Sequence, residues 1–159
     1  MRGFVWRAVF LAGLGAVSGF PTQSRAGVQR ITVGDWTLQD HGSGIVAFAA
    51  AQGRPGGLIV SCREHGIEVL LATGSDGPVP AVPVMMRLDD FPVTSEVLLK
   101  PFRFGRYYGA DKDLALTAAT RIGMAKRKVA FQVSGDRFEF GMIGFERVWP
   151  ELKRRCALA

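Results

Sequence analysis

The stretch Val129-Ala130-Phe131-Gln132-Val133-Ser134-Gly135-Asp136-Arg137-Phe138-Glu139-Phe140-Gly141-Met142 decides the fold class. Large apolar residues recur at every second position on both sides of Ser134-Gly135-Asp136. That is the period of a strand with one dry face and one wet face. Two such runs joined by a short, glycine-containing turn read as an antiparallel hairpin, the strongest in the chain.

Upstream, the period changes. Asp111 can cap a segment from Lys112 to Arg127, in which Leu114, Ala118, Ile122 and Ala125 recur three or four apart. This spacing predicts one amphipathic helix. Lys126, Arg127 and Lys128 fall near its end, where cations suit the helix dipole. Earlier still, strand signals dominate. Ile31 and Val33 alternate with polar residues before Gly34-Asp35, and an apolar run from Ile45 to Ala51 precedes the turn-rich Gly53–Gly57. The runs 58–63 and 67–72 flank Glu64-His65-Gly66 as a second hairpin. A loop with three prolines spans Gly74 to Pro83. Val84–Leu88 resumes as a strand stopped at Asp89-Asp90, and Val93–Leu99 and Pro101–Tyr108 complete the middle. Downstream of Met142, residues 144–156 read as a closing helix with Pro150 inside it, so a short first turn or a kink near Val148 is expected. Seven to nine strands, two short helices and no βαβ alternation predict a mainly β chain: a compact antiparallel β-sandwich or barrel.

The first twenty-six residues read as an address rather than as part of that fold. Arg2 and Arg7 precede an uncharged, mostly apolar run of ten from Ala8 to Val17, and Ser24-Arg25-Ala26 places small residues where a signal peptidase reads. Cleavage is expected after Ala26, leaving residues 27–159 as a single domain. No later run approaches the ~20 apolar residues a membrane-spanning helix needs, so no transmembrane segment is expected after cleavage. The full chain of 159 residues carries a formal charge of +6. Loss of Arg2, Arg7 and Arg25 leaves seventeen basic against fourteen acidic residues, a balance of +3. Half of the basic excess thus belongs to the leader, and a nucleic-acid partner is not expected. The destination is periplasmic or secreted.

Cys62 and Cys156 are the two cysteines. In an oxidising compartment the plainest reading is one disulfide fastening the tail to a strand; the rival is a reactive thiol.

Catalytic signals are sparse. His41 and His65 both sit beside glycine in expected turns, where exposure without chemistry is the plainer reading. His41-Gly42-Ser43-Gly44 lacks the spacing and the strand-to-helix setting of a nucleophile elbow. Asp89 and Asp90 could hold a cation or act as an acid/base pair, yet neighbours on a strand point to opposite faces. Zinc would need more Cys or His than remain, and Gly53–Gly57 is followed by a strand rather than a phosphate-cradling helix. No cofactor, metal site or catalytic set is expected. One patch stands out, in Lys100–Tyr108: Phe102, Arg103, Phe104, Arg106, Tyr107 and Tyr108 interleave aromatic with cationic groups. Such groups stack on rings and grip anions. The alternative is a half-buried strand with solvated arginines.

Several motifs occur together in a familiar order: Cys62-x-x-x-Gly66-Ile67-Glu68-Val69, Met86-Arg87-Leu88-Asp89-Asp90, Val129-x-Phe131, Phe140-x-x-x-Gly144-Phe145 and Leu152-Lys153-Arg154-Arg155-Cys156. Over roughly residues 30–156 the chain resembles small exported proteobacterial proteins of the type VI secretion-associated and invasion-associated locus B-like group. The resemblance implies a periplasmic β-sandwich with a disulfide from a strand to the C-terminal helix, no known catalytic residues, and an accessory role at the envelope. The expected function is therefore a non-enzymatic binding protein whose partner is an envelope protein or an anionic envelope polymer. The alternative is an inhibitor or modulator of an envelope hydrolase, acting through the Gly74–Pro83 loop.

Overall fold

A computed structural model describes residues 29–63, 66–74, 78–91, 95–97, 99–102 and 107–156. The expected signal segment and its cleavage site lie outside the described residues. Eleven strands and two helices are present among the described residues. Strands β1 (Gln29–Val33), β2 (Trp36–Asp40), β3 (Ile45–Ala50), β4 (Gly57–Arg63) and β5 (Gly66–Ala72) form an antiparallel meander. It is extended by β9 (Tyr107–Ala110) and β8 (Leu99–Phe102), giving a seven-stranded sheet in the order β1-β2-β3-β4-β5-β9-β8. The second sheet has the order β11-β10-β6-β7, from β6 (Val84–Leu88), β7 (Ser95–Val97), β10 (Lys128–Val133) and β11 (Asp136–Gly141). The architecture is a sandwich of two antiparallel sheets; they are not closed into a barrel.

The decisive hairpin forms as its alternation requires. Val129, Phe131, Val133, Phe138 and Phe140 are all buried, with Phe131 and Phe140 meeting edge to face at 6.0 Å. Ser134 and Gly135 both take positive φ (50° and 87°), as both central residues of a type I′ turn must. Each fully buried side chain of this kind contributes on the order of 1.5–3 kcal/mol relative to exposure.

The sheets meet along one seam. The outward carbonyls of β11 are taken in sequence by the larger sheet and its turns. Trp36 Nε1 donates to Gly141 O at 3.1 Å, the Gln52 backbone N–H to Glu139 O at 2.8 Å, and Arg54 Nη1 to Arg137 O at 3.3 Å.

Helix α1 (Lys112–Met124) is shorter than the expected 112–127. Ala115, Ala118, Ala119 and Ile122 form its buried side, against β5 and β9. Helix α2 (Phe145–Arg155) continues through Pro150 without the expected break near Val148, and Val148 and Leu152 are both buried. It lies on β1–β4, where Phe145 packs on Trp36 at 4.5 Å and stacks on Trp149 at 6.0 Å. Its start is held tightly. Gly144 has φ +93°, and a Cβ there would run into the Val33 carbonyl oxygen, so both backbone freedom and lack of a side chain are required. At the other end Arg155 pairs with Asp40 of β2, and the Cys62–Cys156 disulfide joins β4 to the helix C-cap with Cα atoms 5.4 Å apart.

That bridge spans 94 residues of sequence. The chain-entropy account assigns such a crosslink about 4–5 kcal/mol. Cys62→Ser/Cys156→Ser is expected to lower the unfolding free energy by about that much. Urea titration against the oxidised parent, with intact mass verifying the bond, checks this.

Candidate functional site

The registers across the larger sheet bring one row of residues into line on its outer face: Thr32, Thr37, Phe48, Ile59, Leu70, Gly109 and Lys100, one from each strand in spatial order. Its ends are polar and its centre is apolar. The row arises because side chains alternate along each strand. Ala47 and Ala49 of β3 and Leu58 and Val60 of β4 point inward to the helices and the second sheet, so Phe48 and Ile59 must point outward. Phe48 is 38% exposed and Phe102 is 39% exposed.

Two glycines make room for these rings. A Cβ on Gly57 would lie 2.5 Å from Phe48 Cε2 and 3.4 Å from Cδ2 and Cζ. One on Gly109 would lie 2.9 Å from Phe102 Cγ and 3.0 Å from Leu70 Cδ2. Each aromatic side chain thus covers a cross-strand glycine. Phe102 and Leu70 close over Gly109, which leaves Leu70 buried although it belongs to the outer face. Three cations sit around this band. Arg63 lies beside Glu68 at 3.8 Å, Lys100 pairs with Asp111 at 2.8 Å, and Arg30 is on the exposed edge strand β1.

The aromatic patch expected from sequence divides. Phe102 and Tyr107 are cross-strand partners on the outer face, and Phe102 joins the band. Tyr108 faces inward and is fully buried; its hydroxyl donates to Pro80 O at 2.9 Å, and burial raises its pKa above the ordinary phenol value. Tyr108 is therefore a core residue and no part of an exposed patch. Arg103, Phe104 and Arg106 lie outside the described residues. Sequence reading missed Phe48, Ile59 and Leu70, whose alignment depends on strand register.

The remaining candidates are also placed. His41 is exposed in the β2–β3 turn, whereas His65 lies outside the described residues. Among the described residues no group of three or more His, Cys, Asp or Glu could hold a metal ion. In the Gly74–Pro83 loop, Ser75–Gly77 lie outside the described residues. Val79 is buried, and Pro80 is held by Tyr108. Neither cysteine is a free thiol.

Asp89 and Asp90 do not act as a carboxylate pair. Asp89, at φ +48°, accepts backbone N–H bonds from Lys126 (3.0 Å), Arg127 (2.7 Å) and Lys128 (3.0 Å), clasping the turn that leads from α1 into β10. Asp90 pairs instead with Arg127 and Lys128. Burial pushes the Asp89 carboxyl upward, but the three N–H donors and the Arg127 charge outweigh it and hold it below the ordinary value.

Comparison with known proteins gives no match to any family model and none to a curated protein. Among solved structures, the fold is similar to the crystal structure of invasion associated protein b from Bartonella henselae. The TM-score is 0.53 at 15% sequence identity, covering 79% of this chain and 96% of that one. At that identity the likeness is one of fold.

Because the Asp89 pKa is depressed on folding, its contribution is complete above the unfolded value near 3.8 and is lost as pH falls through the lower folded value. Asp89→Asn is expected to be less stable at pH 7, by about 1 kcal/mol. Its stability should also change less than the parent's between about pH 4 and pH 2. Urea midpoints measured across that range check both outcomes.

Proposed function

We propose that this protein is an exported, non-enzymatic binding protein of the bacterial cell envelope, and that it engages an envelope protein through the outer face of its larger sheet. The carrying observation is the Phe48–Ile59–Leu70–Phe102 band: among the described residues both helices and the second sheet pack on the inner face, and Phe48 and Phe102 each keep more than a third of their surface exposed on the outer one, with Leu70 beneath Phe102. An apolar centre with a polar, charged rim is the anatomy of a protein interface. The rim is mixed in charge, with Arg63 beside Glu68, Lys100 beside Asp111 and Arg30 on β1, and it fits a partner whose own rim is polar and charged around an apolar patch. Such a rim is sensitive to salt.

Three further points support the reading. The disulfide fits an oxidising compartment. No helix among the described residues is long and apolar enough to cross a membrane. The fold is like that of a protein named for its association with invasion, which accords with an accessory role in virulence.

A photo-crosslinking residue placed at Phe48, compared with one at the exposed Leu116 on α1, tests the face in intact cells. The expected outcome is a discrete crosslinked species from position 48, absent from position 116. A charged substitution at Phe102 should reduce its yield about tenfold, as for loss of an interface anchor. Identical patterns from both positions would remove the sheet face from consideration.

A further inference from the structure

Three chain segments converge at one end of the sandwich: the β3–β4 turn with Arg54 and Pro55, the ends of the β5–β6 loop with Gly74, Val79 and Pro80, and the β10–β11 turn from Val133 to Asp136. They enclose a cleft of about 350 Å³. That is within the range of small-molecule sites, which pair apolar walls with a few placed polar groups. Here Pro55 and Pro80 are the exposed apolar walls, Val79, Val133 and Phe138 form a largely buried floor, and Thr73, Ser134 and Asp136 add polar groups beside Arg54.

The principal polar group is Arg54. Its guanidinium carbon lies 4.2 Å from the centroid of the Phe138 ring, and its side chain is 34% exposed. Only Nη1 bonds to protein among the described residues, to Asp136 Oδ1 at 3.1 Å and Arg137 O at 3.3 Å. Nε and Nη2 have no protein acceptor there. The Asp136 side chain is 62% exposed, so its attraction for Arg54 is screened by solvent. A planar guanidinium held against a ring, with unused N–H groups, is suited to a planar, bidentate anion.

We propose that this cleft binds a small amphipathic carboxylate, its head on Arg54 and its apolar body against the exposed Pro55 and Pro80, above a floor of Val79, Val133 and Phe138. A monoanion fits better than a phosphate dianion, because one cation already shared with Asp136 supplies little excess positive charge. The cleft is lined by none of the residues of the outer-face band, so the two proposals stand or fall separately.

Titration of ¹⁵N-labelled protein with octanoate, and with octan-1-ol as the uncharged comparison, tests the site. Octanoate should give saturable amide shifts at Gly56, Gly74, Val133 and Phe138, and octanol should not. Arg54→Gln should weaken octanoate binding about tenfold or more, the loss expected for a charge-assisted hydrogen bond. Asp136→Asn keeps an acceptor for Arg54 but removes the competing charge, so it should tighten binding about two- to fivefold. The proposal is overturned by absence of saturation in the parent, by shifts gathering at Phe48 and Phe102 instead, or by equal affinity in Arg54→Gln. Should Arg54→Gln fail to fold, unchanged or weaker binding by Asp136→Asn overturns it alone.

Discussion

The sandwich depends on the outward edge of β11. A strand edge presents a row of unpaired carbonyls that must be hydrated, paired or covered. Here three alternate carbonyls, those of Arg137, Glu139 and Gly141, are met by a guanidinium, a backbone amide and an indole from the other sheet and its turns. The same contacts set how the two sheets face each other, since the donors come from β2 and from the β3–β4 connection. Trp36 extends the tie through Phe145 to Trp149, so helix α2 is positioned by the residue that caps the seam. The disulfide and the Arg155–Asp40 pair fix the far end of the helix on the same sheet.

Much of this was legible in sequence where local pattern and tertiary environment agree. The Val129–Met142 alternation forms the hairpin it encodes, because every second residue enters one core. Cys62 and Cys156 pair as the plainest reading expected. The fold class and both helices follow from the same periodicities. Eleven strands stand where seven to nine are expected, because Trp36–Asp40 after the Gly34-Asp35 turn gives no strand signal of its own, and Pro101–Tyr108 holds the end of β8 and the start of β9 rather than one strand. Pro101 is tolerated because β8 is an edge strand, where a missing N–H costs no ladder bond. Asp89 reads locally as a strand terminator. Its partners lie thirty-seven to thirty-nine residues away, so the clasp has no local signature.

The candidate sites were less legible for a related reason. Aromatic and cationic residues close together in sequence drew attention to Phe102–Tyr108, but strand alternation sends Tyr107 and Tyr108 to opposite faces. Phe48, Ile59 and Leu70 come from three strands and become neighbours only through register, which is fixed by pairing across the assembled sheet and leaves no local pattern around any one of them. Arg54 and Phe138 are eighty-four positions apart, and their contact requires both sheets to be assembled. Arg54 lies in what reads locally as an ordinary glycine- and proline-rich turn.

The position of the crosslink also constrains the order of events as the chain matures. A polypeptide is made from its N-terminus, so the fourth strand is complete long before the residue that will be bonded to it exists. The meander can pair early, but the sulfur on its inner face has no partner until residue 156 has been made and brought to it by helix α2. Closure of the crosslink therefore reports that the strands made first and the helix made after them have found each other.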